Sequence, residues 1–253
     1  MIFKLIWNEE KEKLGKEILC LLYDANMIDT WYKSKPDGWT LFSGLWSPIY
    51  INLRYLGSFP LILKKIGYAL GRLIEEECKE VNRIIGIASA GVPIATAISL
   101  EHKIPMCYTR KLEGVKNLDD FQDKISEYGQ HKLVEGVIEN GDKIALVDDL
   151  VTKLDSKLIA LEQLNLEVSK RKISVICKNI VVILDREQGA EELANQNGIR
   201  LTSLIPFTSK GIYWLKNKFS DIENEVINDY LTNTEKYQDK KLQQQLKNQS
   251  RKN

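Results

Sequence analysis

Two helical patterns of apolar residues open the chain. From Asn8 to about Met27, leucine and isoleucine recur every three or four positions, which predicts an amphipathic helix with Asn8 as its N-cap. A second stripe runs from Leu63 to Ile74 and follows Pro60, a residue that favours the first turn of a helix. Both stripes predict helices that pack one face against a core.

From residue 84 onward, short apolar runs alternate with segments of helical pattern. Continuous apolar runs predict strands buried on both faces, and their alternation with helices predicts a parallel sheet covered by helices. The predicted strands are 84–88, 105–108, 143–147 and 180–184, and the predicted helices are 92–101, 155–166 and 190–197. The fold class is therefore α/β. In such sheets the ligand lies outside the carboxyl ends of the strands.

Two segments lack a sustained apolar period. Residues 112–127 are polar and are expected to form a long functional or mobile loop. The tail from 233 to 253 is rich in lysine, glutamine and asparagine, and is expected to be disordered or weakly helical.

Composition excludes several classes of function. The 36 basic and 35 acidic residues nearly cancel, which argues against a chain-wide surface for nucleic acid. No apolar run approaches the ~18 residues that cross a membrane. Four dispersed cysteines and two histidines offer no zinc-binding spacing, and reduced cysteines fit a cytoplasmic protein.

The strongest chemical feature is an apolar run that ends in Asp148 and Asp149. Two carboxylates at a strand end can hold Mg²⁺ or contact ribose hydroxyls. The following segment, residues 152–156, carries Thr152 and Ser156 and enters a helix whose first N–H groups favour a phosphate. We call residues 152–156 the phosphate loop. A simple capped strand-to-helix turn explains the same spacing, so the spacing alone leaves both interpretations open.

The surrounding residues resemble one enzyme family. Residues 148–156 look like the 5-phosphoribosyl-1-pyrophosphate (PRPP) signature of type I phosphoribosyltransferases, and the chain as a whole resembles orotate phosphoribosyltransferase. Further stretches match in the family's order, at 41–54, 91–95, 104–111, 128–136 and 184–190.

The resemblance implies the type I phosphoribosyltransferase fold. Its mostly parallel central sheet would lie in a single domain over 1–232. Residues 1–60 would form a small N-terminal hood, and residues 112–127 an extended mobile loop.

The resemblance also implies a reaction. The phosphoribosyl group of PRPP is transferred to orotate, which gives orotidine 5′-monophosphate and pyrophosphate in pyrimidine biosynthesis. Mg²⁺ is the implied cofactor, and the implied assembly is a homodimer whose subunits share their active sites.

The family's functional residues can be carried over to matching positions. The resemblance places Tyr50 and Ile51 in the orotate-side segment and Arg186 at the orotate carboxylate. It places Asp148 and Asp149 at the ribose hydroxyls and at the metal. The phosphates would be bound by Arg110 and Lys111, and the 5′-phosphate would be bordered by Thr152 and Ser156. Asp149 is also a catalytic candidate.

The family's catalytic loop lysine has no certain counterpart. Counting forward from Arg110 places it at Gly114, and counting back from Tyr128 places it at Ser126. The candidates to replace it are therefore the nearby Lys116 and Lys124. Two further departures from the family pattern are Phe42, in place of a lysine, and the pair Ser89-Ala90.

The phosphate loop also departs from the family, since Lys153-Leu154-Asp155 stands where a glycine is usual. Leu154 is expected to strain the backbone and Asp155 to repel phosphate. Weaker PRPP binding follows, and changing Leu154 and Asp155 to glycine should strengthen it. The alternative function is a catalytically impaired relative that binds PRPP or a nucleotide as a regulatory or assembly protein.

Overall fold

The structure, a computed structural model, describes residues 2–41, 44–125 and 131–251. The chain forms two compact units. The first comprises Met1–Gly15 and Leu56–Phe207, and the second comprises Lys16–Tyr55 and Thr208–Asn253. The expectation of one domain over 1–232 differs from this division, because the C-terminal residues group with an N-terminal segment.

Helices and strands alternate through most of the described residues. The helices are α1 (Ile2–Asp24), α2 (Pro60–Glu77), α3 (Gly91–His102), α4 (Leu118–Ile125), α5 (Asp155–Arg171), α6 (Ala190–Gln196), α7 (Ile212–Leu215), α8 (Asp221–Thr232) and α9 (Lys240–Ser250). The strands are β1 (Ile28–Thr30), β2 (Trp39–Thr40), β3 (Trp46–Ser47), β4 (Ile49–Ile51), β5 (Arg83–Gly86), β6 (Met106–Thr109), β7 (Val134–Glu135), β8 (Lys143–Val151), β9 (Ile176–Asp185) and β10 (Arg200–Pro206). Among these helices, none is long and apolar enough to cross a bilayer.

The first unit is built on a six-stranded sheet in the order β10-β9-β8-β5-β6-β7. Its pairs are parallel except for β6 with β7, so the predicted α/β fold class is confirmed. The apolar run in β8 is buried from Ile144 to Asp148, as a strand covered on both faces requires. The sequence did not predict β10, since polar Thr202 and Ser203 interrupt its apolar residues.

The first helix is longer than its pattern predicted. It begins at Ile2, so Asn8 lies inside α1 and does not cap it. Trp7 explains the extension, because its buried side chain donates an indole N–H to Glu77 Oε1 at 3.0 Å. The second predicted helix is confirmed as α2, with Pro60 in its first turn.

The predicted loop over 112–127 contains a helix. Phe121 of α4 is 2% exposed and packs with Leu112 and Leu133, and part of α5 covers this cluster. Acidic residues in the first turn of α4 and Lys124 in its last turn suit the helix dipole. The expectation of an irregular loop was therefore wrong for 118–125, while residues 126 and 127 lie outside the described part of the chain.

The tail, predicted to be disordered or weakly helical, contains helix α9 and packs in the second unit. Tyr237 and Leu246 are buried, although most of their neighbours in the sequence are polar. The ring of Tyr237 stacks on Trp46, and the carbonyl of Leu246 accepts the indole N–H of Trp31 at 3.3 Å. This ring stacking and this hydrogen bond anchor the segment, which the structure describes up to residue 251.

Candidate active site

The carboxyl ends of four parallel strands, β5, β6, β8 and β9, bring polar loops to one edge of the sheet. Backbone hydrogen bonds hold these loops together. Ile87 N–H donates to the Val147 carbonyl at 2.8 Å, and Arg186 N–H donates to the Val151 carbonyl at 3.0 Å. The residues predicted at 110–111, 148–156 and 186 therefore meet at this edge, which we call the carboxyl edge.

A glycine brings helix α3 against the middle of the carboxyl edge. A Cβ atom on Gly91 would lie 2.3 Å from the carbonyl oxygen of Val147 and 3.3 Å from the Cα atom of Asp148. Only glycine permits this approach. The first turn of α3, whose N–H groups favour an anion, therefore lies beside Asp148 and Asp149, which we call the acidic pair.

The two carboxylates of the pair have different environments. Asp148 is buried, with Oδ1 accepting the Asp149 N–H at 2.9 Å and Oδ2 accepting from Lys157 Nζ at 2.8 Å. Asp149 is half-buried, and its Oδ1 accepts the Leu150 N–H at 2.7 Å. Burial, and next the charge of Asp148, raise the pKa of Asp149 to about 7. Asp148 is thus directed inward, while Asp149 holds a proton more readily than an ordinary aspartate.

Asp149 should make folding less favourable as the pH rises. Its pKa of about 7 in the folded protein lies above its ordinary value of 3.8. The folded state therefore binds this proton more tightly, a contribution that is complete below about pH 4 and is lost as the pH rises through about 7. Between about pH 5 and pH 8, wild type should lose roughly 1–3 kcal/mol of unfolding free energy relative to Asp149→Asn. Urea unfolding at both pH values measures this, and an unchanged difference between the two proteins would contradict it.

The phosphate loop is unstrained at the residue where strain was expected. Leu154 has φ −92° and ψ −6°, so it needs no glycine-like conformation. Its side chain is 1% exposed and belongs to the core of the first unit. Asp155 and Ser156 are exposed in the first turn of α5, where an acidic residue suits the helix dipole. The expected backbone strain at Leu154 was wrong, because this side chain anchors the loop in the core.

Arg110 and Lys111 face a small cavity at the carboxyl edge. The cavity has a volume of about 140 Å³, and its lining includes Arg110, Lys111 and Ser156. The Arg110 backbone is fixed on both sides, since its N–H donates to the Leu133 carbonyl and its carbonyl accepts from Gln163 Nε2 at 2.8 Å. The cavity therefore joins two basic side chains to the start of α5.

The candidate loop lysines are both exposed. Lys124 Nζ donates to the Glu113 carbonyl at 2.8 Å, and a Cβ atom on Gly114 would lie 2.5 Å from this nitrogen. The Lys124 ammonium thus lies beside one of the two positions to which the sequence assigns the family lysine. Lys116 donates its backbone N–H to Asp120.

Other predicted residues belong to the second unit or fall outside the described residues. Tyr50 and Ile51 are part of β4 in the second unit, where β4 pairs with β1. The structure does not describe Phe42, Ser126 or Tyr128.

Sequence reasoning also missed two side chains, Gln163 and Lys157. Both are polar residues that α5 buries, and their positions on its apolar face were a usable signal.

The described part of the chain contains no group of three or more histidine, cysteine, aspartate or glutamate side chains arranged around a possible ion. Mg²⁺ commonly binds through one or two carboxylates together with substrate phosphates, so a lone Asp149 carboxylate fits that mode.

Comparison with known proteins identifies close matches over most of the chain. No protein-family model matches it. The orotate phosphoribosyltransferase of Pyrococcus horikoshii is 33% identical over 197 residues, which cover 76% of this chain and 91% of the relative. That of Methanothermobacter thermautotrophicus is 31% identical over 194 residues, which cover 77% of this chain and 92% of the relative.

A solved structure shows the same architecture. UMP synthase of Leishmania donovani superposes with a TM-score of 0.68 at 25% identity, over 86% of this chain. The match spans 42% of the UMP synthase chain, so it corresponds to less than half of that protein.

Proposed function

The chain belongs to the orotate phosphoribosyltransferase family, and we propose that its carboxyl edge is the site where PRPP reacts with orotate. The reaction breaks the bond between ribose C1 and the pyrophosphate oxygen and forms a bond between C1 and N1 of orotate, while the proton of N1 is lost to the released pyrophosphate or to solvent. The observation that supports this proposal is the position of the acidic pair next to the phosphate loop. The pair can bind the ribose hydroxyls, and the loop that follows it in the chain can bind a phosphate. The curated relatives bear enzyme names, which support the enzyme over the regulatory alternative.

The proposed roles follow from charge. As pyrophosphate leaves, positive charge develops on the ribose, and the carboxylate of Asp149 stabilises it while contacting the ribose hydroxyls. Arg110 and Lys111 stabilise the negative charge that the phosphate oxygens gain as pyrophosphate leaves. Thr152 and Ser156 border the 5′-phosphate at the N-terminus of α5. Positioning and electrostatics thus supply the catalysis.

Mg²⁺ is the proposed cofactor. Asp149 would hold it, since both oxygens of Asp148 already accept hydrogen bonds from Asp149 N–H and Lys157. If bound there together with PRPP, Mg²⁺ would supply positive charge to offset that of the pyrophosphate.

Lys124 is the proposed loop lysine. It is favoured over Lys116 because its ammonium lies beside Gly114, where counting from Arg110 places the family lysine. Tyr50 and Ile51 are proposed to contact orotate on the strength of the family match. Cytoplasmic localisation also remains a proposal, supported by four cysteines that are free thiols.

Arg186 is expected to clamp the orotate carboxylate, because a guanidinium matches a carboxylate with two parallel hydrogen bonds. Arg186→Ala should weaken orotate binding by about 1.5–3 kcal/mol, the range for a charged hydrogen bond, and leave PRPP binding nearly unchanged. Titration calorimetry with each substrate measures both effects.

Arg200→Ala is the matched control, since Arg200 is an exposed arginine at the amino end of β10, on the opposite edge of the sheet. Equal orotate affinity in Arg186→Ala and wild type would remove Arg186 from the site.

A homodimer is proposed from family membership. Such an assembly is usually two-fold symmetric and self-complementary. Light scattering should give about 58 kDa, twice the chain mass of 29.1 kDa. A mass near that of one chain, unchanged at higher protein concentration, would contradict the proposal.

Product analysis tests the proposed function. Incubation with PRPP, Mg²⁺ and orotate should yield orotidine 5′-monophosphate, identified by mass spectrometry. Incubation without enzyme should yield none. Absence of this product at high enzyme concentration would contradict the assignment.

A further inference from the structure

The core-facing side of α5 carries a lysine. Lys157 is 4% exposed and shares the buried side of the helix with Ala160 and Leu164. Lysine is rarely buried without a partner, because removing water from an ammonium group is costly. The groups that contact the Lys157 ammonium therefore indicate why this lysine is buried.

Three oxygen atoms surround the Lys157 ammonium. Nζ donates to Asp148 Oδ2 at 2.8 Å, to the Leu150 carbonyl at 2.7 Å and to Ser156 Oγ at 3.3 Å. An ammonium group has three N–H donors, and all three have acceptors here. Asp148 and Leu150 precede the phosphate loop, and Ser156 is its last residue. Lys157 therefore ties the end of β8 to the start of α5.

The ion pair decides which carboxylate can face a ligand. Asp148 accepts from Lys157 on one oxygen and from the Asp149 N–H on the other, so its carboxylate is directed into the protein. Asp149 accepts the Leu150 N–H and is less deeply buried. Without the lysine, Asp148 would be an uncompensated buried charge, which is strongly unfavourable unless the side chain turns toward solvent.

We propose that Lys157 is a positioning residue of the PRPP site. It acts as a fixed counter-ion that holds Asp148 inward, so that Asp149 alone meets the ribose hydroxyls. This inference rests on the proposed function, since it names the residue that orients the acidic pair toward PRPP.

A double-mutant cycle tests the inference on PRPP binding, measured by titration calorimetry with Mg²⁺ present. Lys157→Met should weaken binding about tenfold, because the freed Asp148 carboxylate then faces an anionic substrate. In the Asp148→Asn background the same change should weaken binding less than about threefold, since no carboxylate remains to be held. The KM for orotate should change less than about twofold in Lys157→Met.

Two results would overturn the inference. An equal loss in both backgrounds would show that Lys157 acts independently of Asp148, as a general support for the loop. No loss in the native background would show that the ion pair does not orient the site. Lys170→Met, which removes an exposed lysine from the last turn of the same helix, is the matched control and should bind PRPP like wild type.

Further measurements distinguish a failure of this inference from a loss of folding and from a failure of the proposed function. Thermal unfolding identifies variants that lose structure. If Lys157→Met does not fold, Lys157→Gln replaces it, because the carboxamide keeps a donor without the charge. If wild type binds PRPP but forms no product with orotate, the proposed function fails, and the calorimetric cycle still decides the role of Lys157. If wild type does not bind PRPP, both are overturned.

Discussion

Asp149→Asn is expected to lower kcat/KM for PRPP about 10³-fold while the protein still folds. Removing one electrostatic group aimed at developing charge typically costs about 10²–10³ in rate, and Asp149 is also the proposed Mg²⁺ ligand. The carboxamide keeps the shape of the side chain, so the Leu150 N–H keeps an acceptor. Steady-state kinetics at saturating orotate measure the loss, and circular dichroism verifies the fold.

Asp119→Asn is the matched control, because Asp119 is an exposed aspartate in the first turn of α4. It should keep kcat/KM within about twofold of wild type, as surface substitutions away from a site usually do. If Asp149→Asn lost less than about tenfold, the carboxylate would not act on the reacting ribose.

Leu154→Gly is expected to destabilise the protein by about 3–5 kcal/mol. Removing a buried leucine side chain costs about 2–5 kcal/mol, and the flexibility of glycine adds about 0.5–1 kcal/mol. The sequence predicted that changing Leu154 and Asp155 to glycine strengthens PRPP binding, in part by relieving backbone strain at Leu154. The structure removes that reason, since Leu154 has a negative φ and its side chain lies in the core. Urea unfolding of wild type and variant measures the loss.

Asp155→Asn separates the charge of the loop from its packing. Asp155 is exposed, so its substitution should change the unfolding free energy by less than about 1 kcal/mol. Removing this negative charge should also tighten PRPP binding, the part of the sequence expectation that the structure leaves unchanged. If, in contrast, Leu154→Gly kept the unfolding free energy of wild type, the Leu154 side chain would not anchor the loop.

The sequence predicted strands β5, β8 and β9 because burial on both faces leaves short apolar runs. Each run marked only part of its strand, since β8 continues past the predicted 143–147 to Val151 and β9 begins at Ile176, before the predicted 180–184. Short helices held by one or two side chains leave little pattern. For that reason Phe121 in α4 and Leu246 in α9 escaped prediction, although each anchors its helix.

Residue type and strand position indicated where the candidate site lies, but not how its side chains pack. The acidic pair was singled out at the end of an apolar run, and Arg110 came from the family resemblance; the roles of these residues stay predictions. Nothing in the spacing showed that Leu154 points into the core or that Lys157 reaches back to Asp148. Those contacts join side chains whose directions are fixed only once α5 packs on the sheet.

Release of pyrophosphate from PRPP, measured with and without orotate, is the decisive test of the proposed reaction. With Mg²⁺ and wild-type protein, release should be rapid and should require orotate, with one orotidine 5′-monophosphate formed per pyrophosphate. Release should be nearly absent in Asp149→Asn. Pyrophosphate release that is equally fast without orotate, or no release at all from protein that binds PRPP, would rule out the proposed reaction.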